Sequence, residues 1–227
     1  MNKNVLVVVA HPDDEVLGCA GTIAKLSKNK HKVHLLILAE GITSRSKKGN
    51  SNLKKIKQLH QSTKKVVKLL KIKSYEIMKN PDNRLYKVDF LKIVQKIENL
   101  ILKIKPETIL THHSNDLNLD HQIVSRAVVT ASRPLPNSSV KKILTFETPS
   151  STEWNFIATN NFNPNYFEDV SKFMKTKLKA MNAYKSEMRK FPHPRSKENI
   201  ISLAKVRGST VGLSYAEAFK VVFLIKK

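Results

Sequence analysis

The densest chemistry in the chain lies in His11-Pro12-Asp13-Asp14-Glu15, where one imidazole and three carboxylates fall within five residues. The cluster follows an apolar run, Val5 to Ala10, and precedes a stretch opening with Val16-Leu17, which places it on a strand-to-helix turn. Such a turn lies at the carboxyl end of a buried strand, where open α/β sheets bind ligands. A histidine with adjacent acids there suits a metal centre, one carboxylate coordinating while its neighbour moves protons. Acids favoured by the helix macrodipole are the plainer explanation of Asp14 and Glu15, but they leave the histidine unexplained. A second cluster, Thr111-His112-His113-Ser114-Asn115-Asp116-Leu117-Asn118-Leu119-Asp120-His121, also follows an apolar strand and opens a helix. If the two strands are neighbours, both clusters converge at one sheet edge. Two imidazoles and one carboxylate leave a fourth zinc position open to water, as in hydrolytic sites, and His11, Asp14 and His121 fit that count.

The elements that must position these residues alternate strand and helix through the first two-thirds of the chain. This pattern predicts an α/β fold, a Rossmann-like three-layer sandwich with a mostly parallel sheet and a C-terminal helical or cap extension. Strands are expected at Val5–Ala10, Lys32–Ala39, Tyr75–Met78, Thr108–Thr111, Lys142–Phe146 and Lys220–Ile225. Helices are expected at Glu15–Lys28, Asn52–Lys71, Lys87–Lys103, Leu119–Ser132, Ser171–Met188 and Lys197–Val206. The polar loop from Glu40 to Ser51 is long enough to be functional. Between Thr148 and Glu168, Trp154, Phe156, Phe162, Tyr166 and Phe167 are set among Ser, Thr, Asn and Pro, which reads as an ordered binding loop or cap. A length of 227 residues predicts one domain, 1–227.

The net charge of +23 raises the question of nucleic acid, since basic side chains on phosphates supply most non-specific affinity. Only seven of the 41 basic residues are arginine, the usual choice for bidentate phosphate and base contacts, so no specific nucleic-acid partner is expected. The lysines spread over helix faces as solvated charge, leaving attraction for an anion such as a phosphorylated substrate or a membrane surface. No apolar run is long enough to span a bilayer and the N-terminus leads straight into a strand, so a cytoplasmic protein is expected. The single cysteine, Cys19, beside Gly18 and Ala20, reads as a small buried residue rather than a reactive thiol.

Ala10 through Glu15, with Asp120-His121, resemble the LmbE-like or PIG-L superfamily of zinc-dependent N-deacetylases, which share an Ala-His-Pro-Asp-Asp-Glu motif and a later Asp-His motif. The resemblance continues through Gly41 to Arg45, Pro81 to Arg84, Ser150 to Trp154, Pro192 to Ser196, Arg207-Gly208 and Ala216 to Phe219. These later motifs look like a branch that deacetylates sugars in surface-polysaccharide pathways. The resemblance implies one Zn2+ per chain, or another divalent metal, on His11, Asp14 and His121, with Asp13 as general base and Asp120 orienting a ligand histidine. Relatives commonly carry an oxyanion-stabilising histidine three residues before the last ligand, where this chain has Asn118. An asparagine amide donates a hydrogen bond but carries neither proton nor charge. His193, flanked by prolines, or His113 would supply the missing imidazole, a structural role for His193 being the alternative. Arg45, Arg84 and Arg195 are expected either to bind an anionic part of the substrate or to pair with Glu40, Asp82 or Glu153. Trp154 would stack on a sugar face or cap the core. The implied reaction is removal of the acetyl group from an N-acetylated amino sugar of the GlcNAc type, free, nucleotide-linked or lipid-linked. A non-sugar acyl substrate and a non-catalytic carbohydrate- or nucleotide-binding module are the alternatives. Because related enzymes include monomers and larger assemblies, a homo-oligomer stays open.

Overall fold

A computed structural model describes residues 3–41, 50–157 and 159–226, the side chains of 50–52 excepted. Seven strands form one sheet: β1 (Asn4–Val9), β2 (Lys32–Ala39), β3 (Ser74–Asn80), β4 (Thr108–His112), β5 (Lys142–Phe146), β6 (Tyr166–Asp169) and β7 (Ala216–Leu224). Their spatial order is β3-β2-β1-β4-β5-β7-β6, with β1 to β5 mutually parallel and β7 antiparallel to both of its neighbours. Side chains alternate across a strand, so β1 feeds two cores at once. Val5, Val7 and Val9 enter one, while Leu6, Val8 and the following Ala10 enter the other. The first core is covered by α1 (Asp14–Lys28), α2 (Asn50–Leu69) and α5 (Met174–Ala183), and the second by α3 (Phe90–Ile104) and α4 (Leu119–Ala131). This is the expected three-layer sandwich. The C-terminal helical extension, α5 and α6 (Lys197–Ser209), packs on the α1 side, through Met181 and Ile200.

The sequence pattern missed β6, a four-residue half-buried strand that, among the described residues, pairs with β7 alone. The helix expected from Ser171 to Met188 is shorter, because Tyr184 leaves helical geometry and turns its hydroxyl inward. Strand β7 starts four residues earlier than expected, the small and apolar Ala216, Ala218 and Phe219 being buried. No helix among the described residues is long and apolar enough to cross a membrane.

Helix α1 is broken at Cys19, whose φ of −146° is not helical. The break exposes the N–H groups of Gly21 and Thr22, which donate to the two carboxylate oxygens of Glu217 at 2.9 and 2.7 Å. Buried Lys177 neutralises that carboxylate at 2.6 Å and donates to Leu17 O at 2.9 Å. Glu217 therefore acts as an N-cap delivered from another strand. Gly18, just before the break, lets the Phe146 ring approach: a Cβ there would lie 2.2 Å from it.

Candidate active site

The strand order reverses between β1 and β4, and at this switch point the two clusters meet. Asp13 occupies the turn after β1 with φ 111°, a left-handed conformation uncommon for a residue with a side chain. Its N–H donates to Glu15 Oε2 at 3.1 Å, and Glu15 Oε1 accepts the Tyr184 hydroxyl at 2.7 Å. The same hydroxyl lies 3.0 Å from Thr63 Oγ1 on α2, so the strained turn is braced from two helical segments. Burial, reinforced by the charge of Asp13 and opposed by the Tyr184 hydrogen bond, pushes the Glu15 carboxyl up to about 8.

Asp14 opens α1. Its Oδ2 accepts the His11 N–H at 2.8 Å and lies 3.4 Å from His11 Nδ1 and 3.3 Å from His121 Nε2. His121 sits in the first turn of α4, which Asn118 caps by accepting the Asp120 N–H at 2.8 Å. One nitrogen of each imidazole thus faces Asp14, and the other is backed by carboxylate. His11 Nε2 lies 3.1 Å from Asp120 Oδ2 and 3.2 Å from Asp82 Oδ1, and His121 Nδ1 lies 3.1 Å from Asp116 Oδ1. Asp120 is itself fixed by the Leu85 N–H at 2.9 Å, and Asp116 by the hydroxyls of Ser151 and Thr152.

Charges in this nest are strongly shifted. Burial alone would lower both imidazoles, but the carboxylates outweigh it: Asp120, Asp14 and Asp82 raise His11 to about 10, and Asp14 and Asp116 raise His121 to about 9. Burial opposes ionisation of Asp14, yet His121 and His112 hold it well below the usual carboxylate range. The cage demands positive charge. His11, Asp14 and His121 each offer a donor atom, all within 4.8 Å of one another, and could hold a metal ion. The 3.3 and 3.4 Å separations match what two bonds of about 2.1 Å leave at a tetrahedral centre. Carboxylates behind ligand histidines are the usual support of such sites.

His112, beside these residues, is engaged otherwise. Its Nε2 accepts the Ala10 N–H at 3.0 Å, Nδ1 lies 3.2 Å from Thr148 Oγ1, and the ring stacks on His121 with centroids 3.8 Å apart. With its lone pair committed, it supports the His121 ring rather than joining the donor set; burial, with the His121 charge, lowers it to about 4.

A cleft opens above, lined by His11, Asp13, Asp82, Asn118, His121, Ser150, Trp154, Glu187, Arg189, His193 and Arg195. Burial raises the Asp13 carboxyl to about 7, against the pull of Arg195. Arg195 Nη1 donates to Asp13 Oδ2 at 2.8 Å and its Nε to Ser150 Oγ at 2.7 Å, a pairing the sequence did not suggest. His193 meets Trp154 edge to face at 5.6 Å, and its Nδ1 accepts the Arg195 N–H at 3.0 Å. Partial burial, with Arg195 and Arg189 nearby, holds His193 below its ordinary value, so the ring is neutral with its proton on Nε2. The Asn118 amide lines the cleft with Oδ1 accepting at the helix cap and one of its two Nδ2 N–H groups donated to Asn83 at 2.9 Å.

His113 points elsewhere, toward Asn160 O and the Phe162 ring. Arg84 is exposed and not among the cleft-lining residues, and Arg45 lies outside the described residues. Arg189, which sequence reasoning passed over, lines the cleft with Nη1 held by the carbonyls of Ser186 and Met188. Its only sequence signal was being an arginine next to the Pro192–Ser196 motif.

Comparison with known proteins agrees with this geometry. The chain is 27% identical over 190 residues to the uncharacterized deacetylase YaiS of Escherichia coli K12, covering 81% of this chain and 91% of that protein. It is 26% identical over 191 residues to a probable N-acetyl-alpha-D-glucosaminyl L-malate deacetylase 2 of Bacillus cereus, covering 82% and 84%. The fold superposes on N,N'-diacetylchitobiose deacetylase from Pyrococcus horikoshii with a TM-score of 0.78 at 20% identity, covering 97% of this chain and 84% of that one. A model of the PIG-L family, described as GlcNAc-PI de-N-acetylase, matches residues 6–132. With more than half its length matched and the motif residues gathered at the switch point, this chain belongs to the PIG-L family and is a deacetylase, a hydrolase of amides.

Proposed function

We propose that the protein removes the acetyl group from an N-acetylated amino sugar of the GlcNAc type in a zinc-dependent reaction. The observation that carries this reading is the juxtaposition of the His11–Asp14–His121 donor set, with its backing carboxylates, and the buried carboxyl of Asp13 in one cleft. His11 Nδ1, Asp14 Oδ2 and His121 Nε2 would hold the metal. Bound there, zinc supplies Lewis acidity, bringing the pKa of water down to about 7 and polarising an acyl carbonyl.

Asp13 accepts the proton of the attacking water, whose oxygen bonds to the acetamide carbon. As the carbon–nitrogen bond breaks, Asp13 returns that proton to the departing amine, and acetate leaves with the water oxygen. A carboxyl raised to about 7 suits both halves of this exchange. In this reading the neutral Nε2–H of His193 serves as the oxyanion donor, while the Asn118 amide is held in place by the helix cap and Asn83. Asp120 and Asp116 orient the ligand histidines. Trp154, 38% exposed at the cleft, offers a face for the sugar ring, and Arg189 offers a guanidinium to a substrate that carries an anionic group.

Acetate release from N-acetylglucosamine, N,N'-diacetylchitobiose, N-acetylglucosaminyl malate and UDP-N-acetylglucosamine tests the reading. Turnover should vanish on chelation, return with zinc and fall by at least about 100-fold in Asp13→Ala. Turnover that survives full chelation, or that favours a non-sugar acetamide across the panel, would refute it.

A further inference from the structure

We propose that Arg195 is a positioning residue for the reaction, its guanidinium holding the Asp13 carboxylate in the cleft and its backbone N–H holding the ring of His193. The proposal rests on the reading of Asp13 as general base. The side chain of Arg195 is only 15% exposed, and two of its donors are spent within the protein. Nη1 meets Asp13 Oδ2 at 2.8 Å and Nε meets Ser150 Oγ at 2.7 Å. One planar group therefore ties the turn after β1 to the loop after β5, which a lysine ammonium, a point charge on a flexible stem, does less rigidly.

Asp13 is fixed from both ends. Its backbone N–H is held in the left-handed turn by Glu15, and one carboxylate oxygen is held by Arg195, leaving the second oxygen for proton traffic. The Arg195 N–H on His193 Nδ1, at 3.0 Å, turns the protonated Nε2 of the neutral ring into the available donor. Trp154 closes the arrangement against the His193 ring. The segment from His193 to Arg195 thus sets the base and the oxyanion donor together, through one residue. An arginine kept for a substrate anion would leave its guanidinium open to the cleft, whereas this one is bonded to Asp13 and Ser150.

The test is a kinetic double-mutant cycle on Asp13→Ala and Arg195→Ala, using the panel sugar with the highest turnover and checking that bound zinc per chain is unchanged. A misplacement of about 1 Å costs about 100-fold, so Arg195→Ala should lose about 10- to 100-fold in kcat with KM within about two-fold. Free guanidinium should restore part of the loss, and Arg195→Lys should fall between wild type and Arg195→Ala. In the Asp13→Ala background the second substitution should change kcat by less than about two-fold, since the group it positions is gone. A KM increase at unchanged kcat, confined to anionic substrates, would overturn the proposal in favour of substrate binding. Independent losses that multiply in the double variant would overturn it as well. Wild-type turnover by Asp13→Ala alone would instead remove the base reading, and the positioning role with it.

Discussion

Replacing Glu217 measures what the broken helix α1 costs to hold. Its carboxylate is 3% exposed and takes three hydrogen bonds, from the Gly21 and Thr22 N–H groups and from Lys177. Glu217→Ala strands a lysine that is itself 5% exposed, leaving it only the Leu17 carbonyl, and uncaps two buried backbone donors. Removing one member of a buried pair costs about 3–5 kcal/mol, and an uncapped buried donor about 1–3 kcal/mol, the two overlapping because Glu217 serves both. The expected loss is therefore about 4 kcal/mol. In a chain of this size each kcal/mol moves the melting temperature by about 2–4 °C, so the midpoint should fall by about 10 °C. Urea unfolding followed by circular dichroism at pH 7.5 gives the free energy, and scanning calorimetry gives the midpoint. The double variant Glu217→Gln/Lys177→Met should lose less than Glu217→Ala, because a buried pair replaced as a whole is far less costly than one cut in half. A loss under about 1 kcal/mol in Glu217→Ala, or a double variant worse than the sum of its singles, would refute the account of the kink.

Four further outcomes follow from the site and its supports. Asp120→Ala should weaken zinc binding by about 10- to 100-fold, read by competition with a chromogenic chelator, because His11 loses its orienting partner. The metal-free His11 and His121 titrate at about 10 and 9, above the ordinary 6.5, so zinc binding at pH 7 should expel protons and tighten as pH rises. Calorimetry in buffers of different ionisation enthalpy counts those protons. The sign for stability is the reverse: the two imidazoles stabilise the metal-free protein fully below about pH 6.5, and that contribution is lost as pH climbs through 9 to 10, visible as a falling midpoint. His193→Ala should lower kcat by about 100-fold or more, whereas Asn118→Ala should mainly cost a helix cap, about 1 kcal/mol of unfolding free energy.

The parts of the site that were legible in sequence share a physical cause. His11 and Asp14 follow β1 within five residues and His121 stands in the first turn of the helix after β4, and in a parallel sheet the strand-to-helix connections lie at the ligand-binding edge. Strands β2 and β5 were placed to the residue because both are buried and read as short β-branched or apolar runs. What escaped was contact between distant segments. Arg195 and Asp13 are 182 residues apart, and an arginine in a loop gives no sign whether it meets a substrate or a carboxylate. His112 and His113 are adjacent and chemically alike, yet the pleat sends one against His121 and the other toward Phe162. Glu217 lay within a noticed motif, but its purpose depends on a helix break at Cys19 that no propensity signals. Strand β6 is polar, short and at an edge, where hydrophobic alternation is weakest.

The Tyr184 and Arg195 braces on the Asp13 turn also set an order of events during synthesis. All three candidate metal donors are made within the first 121 residues, and Arg195 follows more than seventy residues later. At about 5–20 residues per second the ribosome takes roughly 4–15 s to cover that interval. The nascent chain thus carries these three residues before Asp13 has either brace. In the reading proposed above, full turnover waits on the arrival of the Arg195 segment whatever the metal occupancy, so residues made well after the metal donors set the rate at which the site works.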